Sequence, residues 1–331
     1  MKYKIIFLFF IYCIIFYIIN RYIYNYISIE KLENINIKKI INVYKEGYKN
    51  NTKTPGFGDY LRGCYFLLQL TDDLNIEYGF VITHPISYFL KNNTNDSIPS
   101  LDIDYNLELN NFKKNITNDN IIINEYIYDI DFINNYKKYI NNITTIKNNT
   151  LYTCINAFPI YKIKENHKLI IRNLIEPTDD MKKYIDENLL ILNFKKKKYI
   201  TIHIRSGDEI LLDKKNLSQI YINKIITKID EILLKNDDKF ILLISDNNNL
   251  KKHINSIYNN IKILNNNIIH LGEEKVLKND DIKQTLLDMY LLSETNYVYS
   301  LTYYIHGSGF SQWIALTYNI PYELYYFGPP Q

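Results

Sequence analysis

From Ile5 to Ile19 the chain is apolar without a break, and after Asn20 and Arg21 a Tyr/Ile band continues to Ile29. Glu30 to Tyr48 then mixes charged and apolar positions, the texture of a stem with some helix. Thr54 to Gly63 is a glycine-rich loop that runs into an apolar helix, Cys64 to Leu70, followed by strand-like Tyr78–Thr83 and His84-Pro85. Lys91 to Thr150 is Asn-rich and carries only short Ile/Tyr stretches. The rest is more regular. Pro177 and Asp179 introduce a helix to Leu190, and Ile200, Ile202 and Ile204 alternate with Thr201 and His203, the period of a strand. Helical spacing from Asn216 to Leu234, an apolar strand Phe240–Ile244, a helix Leu250–Tyr258 and a strand near Ile268–Leu271 follow. An amphipathic helix Asp280–Ser293, capped by Asp280 or Asp281, leads to a strand Tyr297–Ser300 and a loop opening into a helix over Gly307–Tyr318. Strand and helix alternate, which predicts an α/β chain with a parallel, doubly wound sheet.

The 331 residues suffice for one or two domains with a substantial core. A net charge of +3 gives no footprint for nucleic acid, and the densest basic run, Lys195 to Lys198, is a solvated entry to a strand. Asn runs mark loops in a chain rich in Ile, Asn, Lys and Tyr, and sequons such as Asn50, Asn115, Asn142 and Asn216 are compatible with a secretory location without arguing for it.

The amino-terminal apolar run is shorter than the roughly 20 residues that cross a bilayer. Interface-suited Tyr22, Tyr24 and Tyr26 and a snorkelling Arg21 extend it. No small residue that would suit signal cleavage precedes Ser28. The pattern therefore predicts a retained signal anchor over 5–27, with a cytosolic tail 1–4 carrying Lys2 and Lys4, a stem 28–49, and the remainder in the lumen of the secretory pathway. The alternative is a hydrophobic protein-interaction segment. Cys13 lies in the apolar run, and Cys64 and Cys154 either pair or remain buried thiols.

Candidate chemistry gathers where strands end. His203 and Arg205 share a face of their strand as it runs out, and Gly207 and Asp208 turn the backbone. In a doubly wound sheet ligands bind outside the carboxyl ends of strands, and an arginine there offers a fork of donors for phosphate. Ser245-Asp246 directly follows an apolar strand, as a hydrogen-bonding carboxylate or as a helix cap. Gly307, Ser308, Gly309, Phe310 and Ser311 precede a helix whose start can carry an anion, or supply an ordinary Ser N-cap.

In this order and spacing the segments resemble the donor-site motifs of the fucosyltransferase superfamily, which includes the α1,2-, α1,6- and protein O-fucosyltransferases. His203, Arg205, Gly207 and Asp208 match His-x-Arg-x-Gly-Asp, Ser245-Asp246 matches the strand-terminal Ser/Thr-Asp, and Ser308 to Ser311 with Trp313 and Ala315 match the Ser-x-Phe-Ser segment. Gly56, Gly58 and Asp59 resemble the family's Gly-x-Gly-Asn loop. The resemblance runs over 54–70 and 199–321 and implies a GT-B-like α/β fold: two Rossmann-like domains facing a cleft, here an acceptor-side domain 50–195 and a donor domain 196–331. It implies inverting transfer of fucose from GDP-fucose to a glycan or protein hydroxyl, with no obligatory metal or other cofactor. Arg205 would grip the β-phosphate, His203 would orient the phosphates or the base, Asp246 or a neighbour would read guanosine, and Ser308, Gly309, Phe310 and Ser311 would line the nucleotide. Arg62 would be a further phosphate contact or a surface helix residue.

Two departures matter. Asp59 stands where the family often has Asn, and Ser206 where many members carry a second basic residue. No match names the base, so Asp59 and Asp213 are the candidates. Two other readings stay open. Asp102/Asp104 or Asp129/Asp131 could hold a divalent ion in a metal-dependent GT-A transferase, and the chain could be an inactive, membrane-anchored binder of glycans or sugar nucleotides.

Overall fold

The computed structural model describes residues 37–44, 55–92, 150–153, 155–159, 161–207, 217–266, 268–272 and 278–328. The apolar run over 5–27, the Asp102/Asp104 and Asp129/Asp131 pairs, Cys13 and Cys154, and the candidates Asp208 and Asp213 lie outside them. Among the described residues no helix is long and apolar enough to cross a membrane, and no cluster of His, Cys, Asp and Glu could hold a metal ion.

Two parallel sheets organise the chain. The smaller has the order β2-β1-β3, from β1 (Lys39–Tyr44), β2 (Glu77–Ile82) and β3 (Thr150–Thr153). The larger is built from β4 (Tyr199–Arg205), β5 (Phe240–Ser245), β6 (Ile261–Lys262), β7 (Tyr297–Thr302) and β8 (Tyr322–Tyr326), in the order β6-β5-β4-β7-β8. Strand order reverses between β4 and β7, which creates a topological switch point beyond their carboxyl ends. Arg205 pairs in register with Thr302 of β7, and Ile204 with Ser245 of β5, so the chemistry-bearing strand ends finish at one level.

Every residue of β4 before Arg205 is buried, as expected of a central parallel strand covered on both faces. One face carries α4 (Gln219–Lys235) and α5 (Asn248–Ile257), whose Ile225, Ile229 and Ile254 pack on Ile200, Ile202 and Ile204. On the other side one core joins both sheets. It draws on α1 (Phe57–Leu74), α2 (Glu165–Leu174), α3 (Asp179–Ile191), α6 (Asn279–Ser293) and α7 (Gly309–Thr317). The helix α1 packs along α7, with Tyr65 OH 2.6 Å from Thr317 Oγ1 and the Tyr65 and Trp313 rings 6.0 Å apart.

Several expectations change. The stem assigned to 28–49 is in part a strand: Lys39–Tyr44 is the centre of the small sheet, with Ile40, Val43 and Tyr44 fully buried between neighbours. The strand expected near Ile268–Leu271 is a loop, and the edge strand is Ile261–Lys262 instead. At the start of α6 the cap position is Lys278, and Asp280 and Asp281 sit in the first turn, where acidic groups favour the helix dipole.

Candidate functional site

A cleft of about 210 Å³ opens at the switch point, lined by the ends of β4 and β5, the loop before α7, the loop before α1, and the segment 268–271. Its anchor is the turn after β4. Arg205 Nη1 donates to Asp246 Oδ2 at 2.8 Å, and Asp246 also accepts from the amides of Ser206 (2.8 Å, Oδ1) and Gly207 (3.1 Å, Oδ2). Its side chain is only 4% exposed. Asp246 thus fixes both the arginine and the turn that presents it. Gly207 has φ +105°, and a Cβ there would stand 1.9 Å from the Tyr303 ring, so the tight return demands glycine.

His203, two residues earlier on the same face, is buried. Its Nδ1 lies 2.8 Å from Ser311 Oγ, which is 3.4 Å from Ser300 Oγ on β7. Burial, reinforced by the neighbouring Arg205 charge, pushes its pKa down to about 3, so the imidazole is neutral at physiological pH. Phe310 packs against it with ring centroids 5.8 Å apart. The predicted pairing of strand end and serine-bearing turn is therefore direct: Ser311 docks onto His203, while Ser308, Gly309 and Phe310 face the cleft at the start of α7.

The loop before α1 closes the opposite wall. A Cβ on Gly58 would fall 2.3 Å from the Gly309 carbonyl carbon, so the first turns of α1 and α7 touch backbone to backbone. That contact brings Asp59 to the cleft beside Gly309. Arg62 Nη1 pairs with Asp59 Oδ1 at 2.9 Å, Arg62 Nε donates to the Asn156 carbonyl at 2.7 Å, and the guanidinium carbon lies 4.1 Å from the Phe158 ring centroid.

Asp288 of α6, itself buried, lines the cleft with Thr285. Asn266 Nδ2 donates to Asp288 Oδ1 at 2.7 Å. Burial raises the carboxyl pKa to about 6, and the Lys251 charge and the Asn266 hydrogen bond hold it from rising further.

An α1,6-fucosyltransferase NodZ soaked with GDP-fucose superposes with a TM-score of 0.51, at 13% identity, covering 85% of this chain and 92% of that one. NodZ is from Bradyrhizobium. The chain shares its fold with NodZ. An Arabidopsis thaliana FUT1 variant with GDP is also similar (TM-score 0.46, 12% identity, 90% of this chain and 73% of that one), as is POFUT1 with GDP (0.42, 10%, 88% and 98%). No family model matches the sequence, and no curated protein matches it.

On this fold the sequence candidates separate. Gly56, Gly58, Asp59, His203, Arg205, Ser245, Asp246, Ser308, Gly309 and Phe310 line one cleft. Three expectations shift. The carboxylate of Asp246 is occupied within the protein, where guanosine reading was expected of it or a neighbour, because turn amides and Arg205 take both oxygens. Arg62 is not a surface residue: it is buried outside the cleft lining and paired with Asp59, and burial lowers its pKa against the raising effect of Asp59. Ser311 acts from behind, through His203. Sequence reading missed Thr285, Asp288, Tyr304, His306 and His270 in the lining. For Asp288 a signal existed: a lone carboxylate inside the apolar run Leu286 to Leu292.

Proposed function

We propose that the chain is an inverting fucosyltransferase that moves fucose from GDP-fucose to a hydroxyl of a glycan or protein. The carrying observation is Arg205, locked by Asp246 at the switch point and facing the start of α7 across one cleft. An arginine and helix-start amides are the groups that bind a diphosphate, and the fold is that of a fucosyltransferase soaked with GDP-fucose.

In this reading the β-phosphate lies at Arg205 and the amides of Gly309 and Phe310. Guanine lies beside Asp288, whose carboxylate suits its N1–H and N2–H₂ donors. Asp59, at the mouth, takes the acceptor proton as the acceptor oxygen bonds to fucose C1. The C1–O bond to the β-phosphate breaks, and its electron pair leaves with GDP. Negative charge grows on the leaving diphosphate, and one preorganised contact of this kind is typically worth about 3–4 kcal/mol in the transition state. Arg205 and the helix start supply the compensating positive charge without a divalent ion. His203 stays neutral and holds Ser311, so its role is to fix the wall beside Arg205 rather than to exchange a proton. Asp213 is the second candidate base.

We also infer a GT-B division near residue 196, with β1 included in the acceptor-side half, and a type II membrane anchor over 5–27. The support is the separate sheets for the first and the apolar run for the second. Release of GDP from GDP-fucose across a glycan and glycoprotein array, with EDTA present, tests the activity. Turnover that survives EDTA and disappears in Arg205→Ala supports it. Turnover that EDTA abolishes and metal restores favours a GT-A mechanism, and GDP-fucose binding without turnover favours an inactive binder. Carbonate extraction of the full chain tests the anchor.

A further inference from the structure

One buried charge has no part in that chemistry. Lys251 of α5 is buried, and its Nζ donates to the Leu264 carbonyl at 3.0 Å. An ammonium taken out of water needs compensation, and an apolar side chain would fill the same space without that need. The opposite charge that acts on it is Asp288, and the segment 264–266 links the two: Lys251 holds the Leu264 carbonyl and Asn266 holds the Asp288 carboxylate. Burial lowers the Lys251 pKa while Asp288 raises it, and Lys251 in turn opposes the upward push of burial on Asp288. The same helix fixes the second support. Asn248 Nδ2 donates to the Asn266 carbonyl at 3.0 Å, which leaves the Asn266 amide turned to Asp288 Oδ1. Asp288 lines the cleft, and Lys251 and Asn266 do not. They stand behind it.

We infer that Lys251 is a positioning residue for nucleobase recognition: with Asn266 it keeps the Asp288 carboxylate ionised and aimed into the cleft, ready to accept from the guanine edge. The inference rests on reading the cleft as a guanine-nucleotide site. The other titratable groups near Asp288 are Tyr184 of α3, which feels its charge, and Asp280, Asp281 and Lys283 on α6 itself. His203, Arg205, Asp246 and His270 line the same cleft. None of these is both buried behind Asp288 and cationic.

The test is the GDP dissociation constant between pH 5.5 and 8.5 for the wild type, Lys251→Met and Lys251→Arg. The ratio of variant to wild type at each pH cancels the titration of the nucleotide's own phosphates. Loss of a nearby opposite charge moves a carboxyl pKa up by about one unit or more. Lys251→Met should therefore bind about five-fold more weakly at pH 6, with the gap closing by pH 8.5, and Lys251→Arg should restore the wild-type profile. A ratio that does not vary with pH overturns the inference while leaving the guanine site intact. Failure of the wild type to bind GDP at any pH overturns the reading of the cleft itself. If Lys251→Met does not fold, Asn266→Ser removes the hydrogen bond to Oδ1 and should give the same pH-dependent ratio, and a flat ratio there counts equally against the inference.

Discussion

Removing the Asp246 carboxylate asks whether it holds the site together or reads a ligand. It accepts three hydrogen bonds, two from backbone amides and one from Arg205 Nη1, and its side chain is 4% exposed. Breaking a buried charge pair by removing one partner costs about 3–5 kcal/mol, because the other charge is left uncompensated. Asp246→Ala should therefore lower stability by that amount. At about 2–4 °C per kcal/mol for a domain of this size, Tm falls by roughly 6–20 °C. Asp246→Asn keeps an acceptor but loses the charge, and should cost less, about 1.5–3 kcal/mol. The assays are thermal unfolding and titration with GDP and with inorganic pyrophosphate. Both ligands should weaken together, since the arginine that serves them is displaced. A variant with unchanged Tm and pyrophosphate affinity, but no preference for guanine over uracil, would refute this reasoning and return Asp246 to base recognition.

Asp59→Asn should lower kcat by about 10²–10⁴-fold while GDP affinity changes little, read by GDP-release kinetics; an equal loss in Asp213→Asn alone would move the base there. Gly58→Ala must separate α1 from α7, because its Cβ would meet the Gly309 backbone at 2.3 Å, and should destabilise by about 1–3 kcal/mol or more in chemical denaturation. Acid sensitivity has a defined sign. His203 and His84, with pKa values pushed by burial down to about 3 and about 4, stay neutral when folded but take protons when unfolded, near their ordinary value of about 6.5. Their contribution is full above that pH and declines as pH falls through 6.5 towards 4. Asp288, raised to about 6, runs the other way: it stays protonated in the fold below that value, which favours the fold as pH falls from 6 to 4. Between pH 6 and 5 one histidine is therefore offset, and Asp288→Asn should roughly double the slope of stability against pH, measured by urea unfolding.

How much of this was legible followed from chemistry rather than from position in the chain. β4 and β5 were readable because buried parallel strands are short, Ile- and Leu-rich runs that end in polar residues with something to do, Arg205 and Ser245-Asp246; β7, Tyr297–Thr302, was readable as a short β-branched and aromatic run between a helix and the glycine turn at Gly307. β1 was hidden because Lys39–Tyr44 has the same Ile, Asn and Lys composition as its flanks, and only pairing with β2 and β3 distinguishes it. β8, with three tyrosines in five residues, lacks the aliphatic run of a central strand, since it lies at an edge. The identity of Asp246 as a cleft residue was visible, but not its task, because whether a carboxylate faces a ligand or a turn depends on amides from a segment some 40 residues earlier. Arg62 shows the same limit, since Asn156 and Phe158, which bury it, come from a distant loop.

The account turns on whether the cleft at the β4–β7 switch point takes a guanosine diphosphate on Arg205. Calorimetric titration of GDP, GDP-fucose, GDP-mannose and UDP-sugars, with Arg205→Ala beside the wild type, measures that directly. The prediction is preference for the guanine nucleotides and loss of most of that affinity in the variant. Equal binding of uridine nucleotides, or GDP binding that Arg205→Ala leaves unchanged, would contradict it.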